Sequence, residues 1–404
     1  MEPQPKVVLH VLNSAGGGAA LSTMGLMSEL RRSFGIQSCA VCHDAGTNEE
    51  REALLAATEG ATWFTTLYWW NRKIRAPLWK RPLIEIKQRL RTDKGRKSAA
   101  FVESCAIRFE ADLIHTNTIL TPEGGLAAAS LGLPHVWHLR EMVGPGQPFR
   151  LPYEGSSFGR YMRTHCSKLI ANSNASAAII RDWLPPNLLE IVPNGIDISH
   201  FTPRTLWDHP GPLVVGMVGN LTSRWKKHRL FIEAAAKIDR QMPVEFRFYG
   251  HDPSHGGTVT TDAYLNELHA LIRAAGLQDR FRFAGHVADP AQIMSEIDIL
   301  VHPADSESFG RIVVEAMAAG LPVVGVRAGG VGEIVLHEET GLLAEPDNTT
   351  GLASHIDRLV GDAKLRRAFG TAGRQRAEAY YSLTACAAGV FRVYQQALAK
   401  PLAK

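Results

Sequence analysis

The chain has 404 residues, 45% of them hydrophobic and 21% charged, with a formal net charge of +4 and five cysteines. That length exceeds the roughly 250–300 residues at which a single core stops growing, so two domains are expected of a chain with ordinary globular composition. Too few cysteines for a disulfide framework, no run approaching ~18 apolar residues, and a first strand-like run (Val7–Leu12) too short for a signal segment leave a cytoplasmic chain as the expectation.

Short β-branched runs alternate with helical patterns twice over. The first series of strands is expected at Lys6–Asn13, Ile36–His43, Ala61–Thr66, Asp112–Thr116, His135–Leu139, Lys168–Ser173 and Glu190–Pro193, with helices at Ala19–Phe34 and Thr121–Leu131. Cys39 and Cys42 form a C-x-x-C, but inside a strand-like run rather than at a helix start, so they read as small core residues. Between Arg72 and Lys97 stand eleven basic residues against two acidic ones, a local charge of +9, which leaves −5 for the rest of the chain. Phe201–Pro212, with three prolines and no periodicity, reads as a linker. The second series follows: strands at Leu213–Val218, Glu245–Tyr249, Arg282–Ala284, Asp298–His302 and Pro322–Val326, and helices at Lys226–Gln241, Tyr264–Ala275 and Gly310–Ala319. The last third is helical, at Leu352–Val360, Lys364–Tyr381 and Leu383–Ala399. Such alternation predicts an α/β fold of two doubly wound, Rossmann-like parallel-sheet domains, each binding ligand at the carboxyl edge of its strands. The expected division is 1–203, 204–382, and a terminal helix over 383–404 that packs back on the first domain.

The most informative stretch runs from Asp298 to Glu333. A buried strand delivers a loop, Pro303–Ser308, and a helix starts near Phe309–Gly310 and stops at Gly320 before Pro322. The free N–H groups of a helix start favour a diphosphate. Gly310 allows close backbone approach, and Glu315, an acceptor more than a turn into the helix, suits the paired hydroxyls of a ribose. Glu307, in the loop, is placed for sugar hydroxyls. A second glycine loop, Ala328–Glu333, follows the next strand, and V-G-N-L-T-S-R-W-K-K at Val218–Lys227 puts Arg224, Lys226 and Lys227 where a diphosphate would lie.

These elements together resemble the retaining family-4 glycosyltransferases of the GT-B fold. The resemblance is carried by Glu307-Ser-Phe-Gly-Arg-Ile-Val-Val-Glu315 with its continuation A-M-A-A-G-L-P-V-V, by V-P-N-G-I-D at Val192–Asp197, A-N-S at Ala171–Ser173, F-A-G-H-V at Phe283–Val287, W-K at Trp225–Lys226, and G-G-G at Gly16–Gly18. It covers most of the chain except Tyr68–Arg96. It implies two domains facing across a cleft, with Glu307 on the donor sugar, Glu315 on the ribose and Lys226 on the diphosphate. Ser308 and the backbone of Phe309, Gly310 and Arg311 would hold sugar or phosphate, beside Gly219 and Asn220. Many members carry arginine where Asn220 stands, and Arg224 is expected to take that part. His138, in W-H-L-R-E, matches the family's first-domain histidine, and Gly17 and Gly18 its glycine loop. The resemblance further implies a hexosyltransferase-type reaction with retention, proceeding on one face as the domains close, and no cofactor beyond the nucleotide-sugar donor. No metal is expected, although Asp305-Ser306-Glu307 superficially looks like a D-x-D metal motif.

The acceptor is expected to be a saccharide or lipid-linked saccharide, in cell-surface polysaccharide or glycoconjugate synthesis. Tyr68–Lys97 interleaves Trp69, Trp70 and Trp79 with its basic residues, a pattern suited to peripheral contact with an anionic membrane surface at its inner face. Nucleic acid is not an expected partner, since no recognition motif accompanies the charge. The alternatives are a nucleotide-sugar epimerase or a phosphorylase on the same fold, and a non-catalytic sugar-nucleotide-binding protein. A phosphorylase would need a cofactor-lysine motif that is not found, and a non-catalytic protein predicts a lost glutamate where both are present. A dinucleotide dehydrogenase is disfavoured because G-G-G-A-A is not G-x-G-x-x-G.

Overall fold

The computed structural model describes residues 3–68, 95, 97–144, 147, 149, 151, 153–250 and 263–399. Of the basic segment Tyr68–Lys97, only Tyr68, Gly95 and Lys97 are among them, so the membrane contact expected there lies outside the described residues. The chain divides into two units, Met1–Gly195 with Leu383–Lys404, and Ile196–Ser382.

The first unit runs β1 (Val7–Leu12), α1 (Gly17–Phe34), β2 (Gln37–His43), α2 (Asn48–Ala57), β3 (Thr62–Thr65), α3 (97–108), β4 (Leu113–Thr116), α4 (Glu123–Leu131), β5 (His135–Leu139), α5 (Gly155–His165), β6 (Lys168–Ala171), α6 (Asn174–Arg181) and β7 (Leu189–Ile191). Its seven strands lie parallel in the order β3-β2-β1-β4-β5-β6-β7. Side chains alternate between the faces as a pleated strand requires: on β1, Leu9 and Val11 join one buried cluster and Val8 another. Helix α1 stops where Gly35 turns left-handed (φ 67°) and returns its N–H to the Arg31 carbonyl at 3.0 Å. Cys39 and Cys42 are free thiols buried on β2, and burial pushes both up to about 12, so neither is a reactive thiolate.

The second unit runs β8 (Leu213–Val218), α7 (His228–Ala235), β9 (Val244–Tyr249), α8 (Ala263–Ala274), β10 (Phe281–Gly285), α9 (Pro290–Glu296), β11 (Ile299–His302), α10 (Arg311–Ala318), β12 (Val323–Val326), α11 (Val331–Ile334), β13 (Gly341–Ala344), α12 (Thr349–Gly361) and α13 (Ala363–Tyr380). Six parallel strands take the order β10-β9-β8-β11-β12-β13. Leu213, Val215 and Met217 of β8 face one core with Phe246 and Phe248 of β9, while Val214 and Tyr249 face the other. The final helix, α14 (Leu383–Ala399), presents Cys386, Ala387, Val390, Val393, Tyr394 and Ala397 at helical spacing to the first unit, against Val8, Leu113, Val136 and Ile170.

Three sequence expectations change. The break between units falls at Gly195–Ile196, not at 203/204, and Phe201–Pro212 is not a free linker. Ile196, Ile198 and Phe201 are buried in the second unit's core, Ile196 donates to the Tyr381 carbonyl (2.9 Å), and Arg204 donates to Ala319 (2.9 Å). The helix expected over Lys226–Gln241 is cut to His228–Ala235, because Lys227 is left-handed (φ 62°). Strand β13 and helices α2, α3, α5, α6, α9 and α11 were not anticipated.

Phe231 has no exposed surface and sits edge-on to Phe246, Phe248 and Phe281 at centroid distances of 5.7, 5.5 and 5.8 Å. Phe231→Ala is expected to destabilise the second unit by about 3–5 kcal/mol, read as an earlier unfolding transition in urea by tryptophan fluorescence.

Candidate active site

In a parallel sheet every strand ends at the same edge, and a crevice opens where the order reverses. In the second unit this happens between β8 and β11, which are hydrogen-bonded neighbours although α7 to α9 separate them in the chain. The loops leaving these two strands carry the residues that matter.

After β8 the backbone turns through Asn220, whose Oδ1 accepts from the Thr222 N–H (3.0 Å) and hydroxyl (2.9 Å), and then forms a short 3-10 turn, Arg224–Lys226. The Asn220 side chain is thus occupied in shaping the loop. Lys226 extends past Gly219, where a Cβ would stand 3.4 Å from the lysine's own methylenes. Its ammonium lies 2.6 Å from Glu307 Oε2 and 4.2 Å from the centre of the Trp225 ring. The left-handed Lys227 then directs its ammonium to Asp305 (2.9 Å) and Asp347 (2.7 Å). Adjacent lysines therefore take the two acids of Asp305-Ser306-Glu307.

After β11 the chain passes His302, Asp305, Glu307, Ser308 and Phe309 before α10. Gly310 (φ 96°) precedes the first helical residue, a backbone that a side chain rarely adopts. The loop is held from behind by the turn after β12: the Gly330 N–H donates to the Glu307 carbonyl at 2.8 Å. A Cβ on Gly329 would stand 2.3 Å from that same carbonyl, and one on Gly330 would stand 2.6 Å from the Phe309 backbone. The glycines of Ala328–Glu333 thus serve close backbone packing that positions Glu307. Phe309 is buried, edge-on to Tyr381 at 5.9 Å.

Burial alone would raise the Glu307 carboxyl, but the Lys226 ammonium in contact and His302, 3.4 Å away, outweigh it and hold the group at about 2. It is a carboxylate at any physiological pH. Glu315, in the second turn of α10, is 4% exposed and receives the Arg311 guanidinium at 2.7 Å. Here burial prevails over Arg311, and its carboxyl is raised. Burial in turn lowers His302, outweighing the Glu307 carboxylate 3.4 Å from its Nε2, which acts the other way.

The structure brings Lys226 to Glu307 and Arg311 to Glu315. It does not bring Arg224 to them: that guanidinium is exposed, bonds Glu267 of α8 at 2.9 Å and lies 4.3 Å over the Tyr264 ring. The expected stand-in for a diphosphate-binding arginine is engaged elsewhere, since Glu267 and Tyr264 offer both a carboxylate and a ring face. Sequence reasoning missed His302 and the Lys227–Asp305 pair. The position of His302, last residue of a buried strand ending at the switch point, was the available signal.

In the first unit the order reverses between β1 and β4. The loop after β1 carries Gly17 (φ 82°) and Gly18, both exposed at the start of α1. His138, near the carboxyl end of β5, is fully buried with Nδ1 3.3 Å from His115 Nε2.

This arrangement has counterparts. Residues 206–376 match the family model described as glycosyl transferases group 1, and residues 16–200 match glycosyltransferase family 4. An uncharacterised glycosyltransferase of Methanocaldococcus jannaschii is 39% identical over 291 residues, 70% of this chain and 75% of that one. The chain belongs to the family-4 glycosyltransferases. An N-acetyl-alpha-D-glucosaminyl L-malate synthase of Bacillus anthracis, in the same company, is 31% identical over 144 residues, 36% of this chain, and the match spans 35% of that protein's length. Crystalline HepE of Anabaena, in complex with UDP and glucose, superposes with a TM-score of 0.72 at 24% identity, covering 96% of this chain and 98% of its own, a likeness of fold. This glycosyltransferase thus has the GT-B architecture of two Rossmann-like domains.

A carboxyl held at about 2 rather than its ordinary 4.5 contributes stability that is complete above pH 4.5 and lost as pH falls toward 2. Removing the cation strands a buried carboxylate. Lys226→Met is expected to lower stability at pH 7 by about 3 kcal/mol and to move the acid unfolding edge to higher pH, measured by circular dichroism across pH 2–7.

Proposed function

We propose that this glycosyltransferase moves a hexose from a nucleoside diphosphate sugar to a saccharide or lipid-linked acceptor, with retention of anomeric configuration, in the synthesis of cell-surface polysaccharide or glycoconjugate. The observation that carries this reading is the Lys226–Glu307 contact beside the start of α10, with Glu315 in the same helix. Free N–H groups at a helix start and a lysine ammonium attract a diphosphate. Glu315, next to Arg311, accepts from the ribose hydroxyls. Glu307, kept ionised, accepts from hydroxyls of the sugar. The UDP and glucose held by HepE support a nucleoside diphosphate sugar as donor.

In this scheme the anomeric carbon–oxygen bond breaks toward the diphosphate. The acceptor hydroxyl attacks from the face the diphosphate leaves, and its proton passes to the departing phosphate oxygen. Lys226 and the helix start stabilise the charge that collects on that oxygen, an effect worth most in a water-poor setting. Both acids of Asp305-Ser306-Glu307 already face lysines, which supports a diphosphate neutralised by the protein's own cations. His138, with Gly17 and Gly18, serves the sugar from the first unit.

Calorimetric titration with UDP, GDP and ADP identifies the base. With the preferred nucleotide, Glu315→Ala is expected to weaken binding about tenfold or more, while Glu307→Ala binds nucleotide like the wild type and loses transfer. Full transfer by Glu307→Ala overturns the assignment.

Among the described residues no helix is long and apolar enough to cross a membrane. The +9 charge of 72–97, interleaved with tryptophan, supports an acceptor presented at an anionic lipid surface. The protein is expected to co-sediment with phosphatidylserine-containing vesicles and not with neutral ones, and to be released by salt. Equal partitioning would remove the membrane from this reading.

A further inference from the structure

The first unit contains a chain of buried polar groups to which the reading above assigns only one member. Tyr394, on α14, has its hydroxyl 2.7 Å from His115 Nδ1. His115 Nε2 is 3.3 Å from His138 Nδ1, and the two imidazoles are parallel within 4°. All three side chains have no exposed surface. The far end of the chain, His138 Nε2, has no hydrogen-bond partner among the described residues.

Burial, first of all, holds His115 and His138 well below the ordinary imidazole range, and the positive charge of Arg140 acts in the same direction. Both rings are therefore neutral at physiological pH. Each then has one donor and one acceptor nitrogen, and the remaining variable is which nitrogen holds the proton.

The phenol decides it. Burial also raises the Tyr394 hydroxyl well above its usual range, so it keeps its proton. The one acceptor in reach of that proton among the described residues is His115 Nδ1. The reverse arrangement, with a proton on each Nδ1, leaves the phenol's proton without an acceptor whatever binds, whereas this one leaves only the His138 Nε2–H, which a sugar oxygen satisfies when the donor is bound; a buried donor left unpaired costs about 1–3 kcal/mol. Tyr394 therefore donates, and His115 carries its own proton on Nε2. That proton points to His138 Nδ1, which becomes the acceptor and leaves the His138 proton on Nε2. His10, the neighbouring buried histidine, does not compete. Its Nδ1 accepts from the Asn117 amide (3.2 Å), its Nε2 faces the Ser38 hydroxyl (3.4 Å), and Thr23 donates to the Asn117 oxygen (3.1 Å).

We infer that Tyr394 is a positioning residue that, acting through His115, fixes His138 as the Nε2–H tautomer, a neutral hydrogen-bond donor at the carboxyl end of β5. The inference rests on the reading that His138 meets the donor sugar. What this histidine offers is a proton to a hydroxyl or ring oxygen of a neutral sugar. It carries no positive charge with which to select an acidic one. The terminal helix, besides covering the sheet, thereby sets the chemical polarity of a residue 256 positions earlier.

The test is the long-range proton–nitrogen correlation spectrum of the full chain labelled with 15N-histidine at pH 7, with His115 and His138 assigned by loss of signal in His115→Gln and His138→Gln. With UDP-glucose bound, both rings are expected to be protonated on Nε2. In Tyr394→Phe, His138 is expected to show a mixture of tautomers. The rate of UDP release from UDP-glucose should fall about tenfold, one neutral hydrogen bond, with UDP affinity unchanged. A wild-type His138 protonated on Nδ1, or one whose tautomer ignores Tyr394→Phe, overturns the relay. If Tyr394→Phe does not fold, the wild-type spectrum alone decides. Undiminished UDP release by His138→Gln would instead overturn the placement of His138 at the sugar, with the tautomer assignment intact.

Discussion

A carboxylate taken out of water stays ionised only if a cation accompanies it, and in the second unit that cation is Lys226. The surroundings of the Lys226–Glu307 contact follow from this need. The strand order makes the loops after β8 and β11 neighbours, so two segments 81 residues apart meet. Gly219 leaves room for the lysine stem, the left-handed Lys227 sends the next ammonium to Asp305, and Gly329 and Gly330 let a third loop press the Glu307 backbone into place. A site assembled from three strand ends cannot adjust one of them independently, and this gives the Glu307 carboxylate a fixed position. The free protein is already charge-balanced there.

The first unit solves a different problem with the same strand order. Around its own reversal point, the groups at the ends of β1, β4 and β5 are mostly neutral: two exposed glycines, Asn117, Thr118 and the histidines. Arg140 and Glu141 are the exceptions, a buried guanidinium that donates to Asn194 and a buried carboxyl raised by burial and tied to Thr118 and the Ile119 N–H. One unit thus gathers ion pairs at its reversal point, and the other gathers mostly neutral buried groups.

The strands were legible because parallel strands buried on both faces read as short apolar runs, and twelve of the thirteen were found in the sequence. Glu307 and Glu315 were legible because the loop-to-helix junction fixes their spacing within one local segment. What escaped was of two kinds. Elements such as β13, four residues of G-L-L-A, and α6, eight residues, carry too little periodicity to stand out. Helix α2 did carry a signal, the Thr47 and Glu50 capping box. The second kind depends on partners far along the chain. Nothing near Arg224 announces Glu267, 43 residues on, and nothing near His302 says that Lys226 and Glu307 will close around it. The unit boundary was misplaced for the same reason: a proline-rich stretch looks like a linker until Phe201 and Arg204 are seen against α10 and its end.

The C-terminal helix makes the strongest case for reading the chain as a whole. Val8, Leu113, Val136 and Ile170 come from four strands of the first unit, and all are covered by α14. Until residues 383–397 are synthesised, that face of the sheet has only Leu26 and Leu30 of α1 over it within this cluster, and roughly 25 cal/mol is lost for each Å² of apolar surface left in water. The first unit's core is therefore completed by the last helix described, far along the chain from the strands it covers. Pairings of that kind form slowly, because closing the loop costs entropy before any contact repays it. The same helix carries Tyr394, so the step that closes the core also seats the phenol against His115. The packing of this core and the Tyr394–His115 hydrogen bond are consequently completed together, by one element.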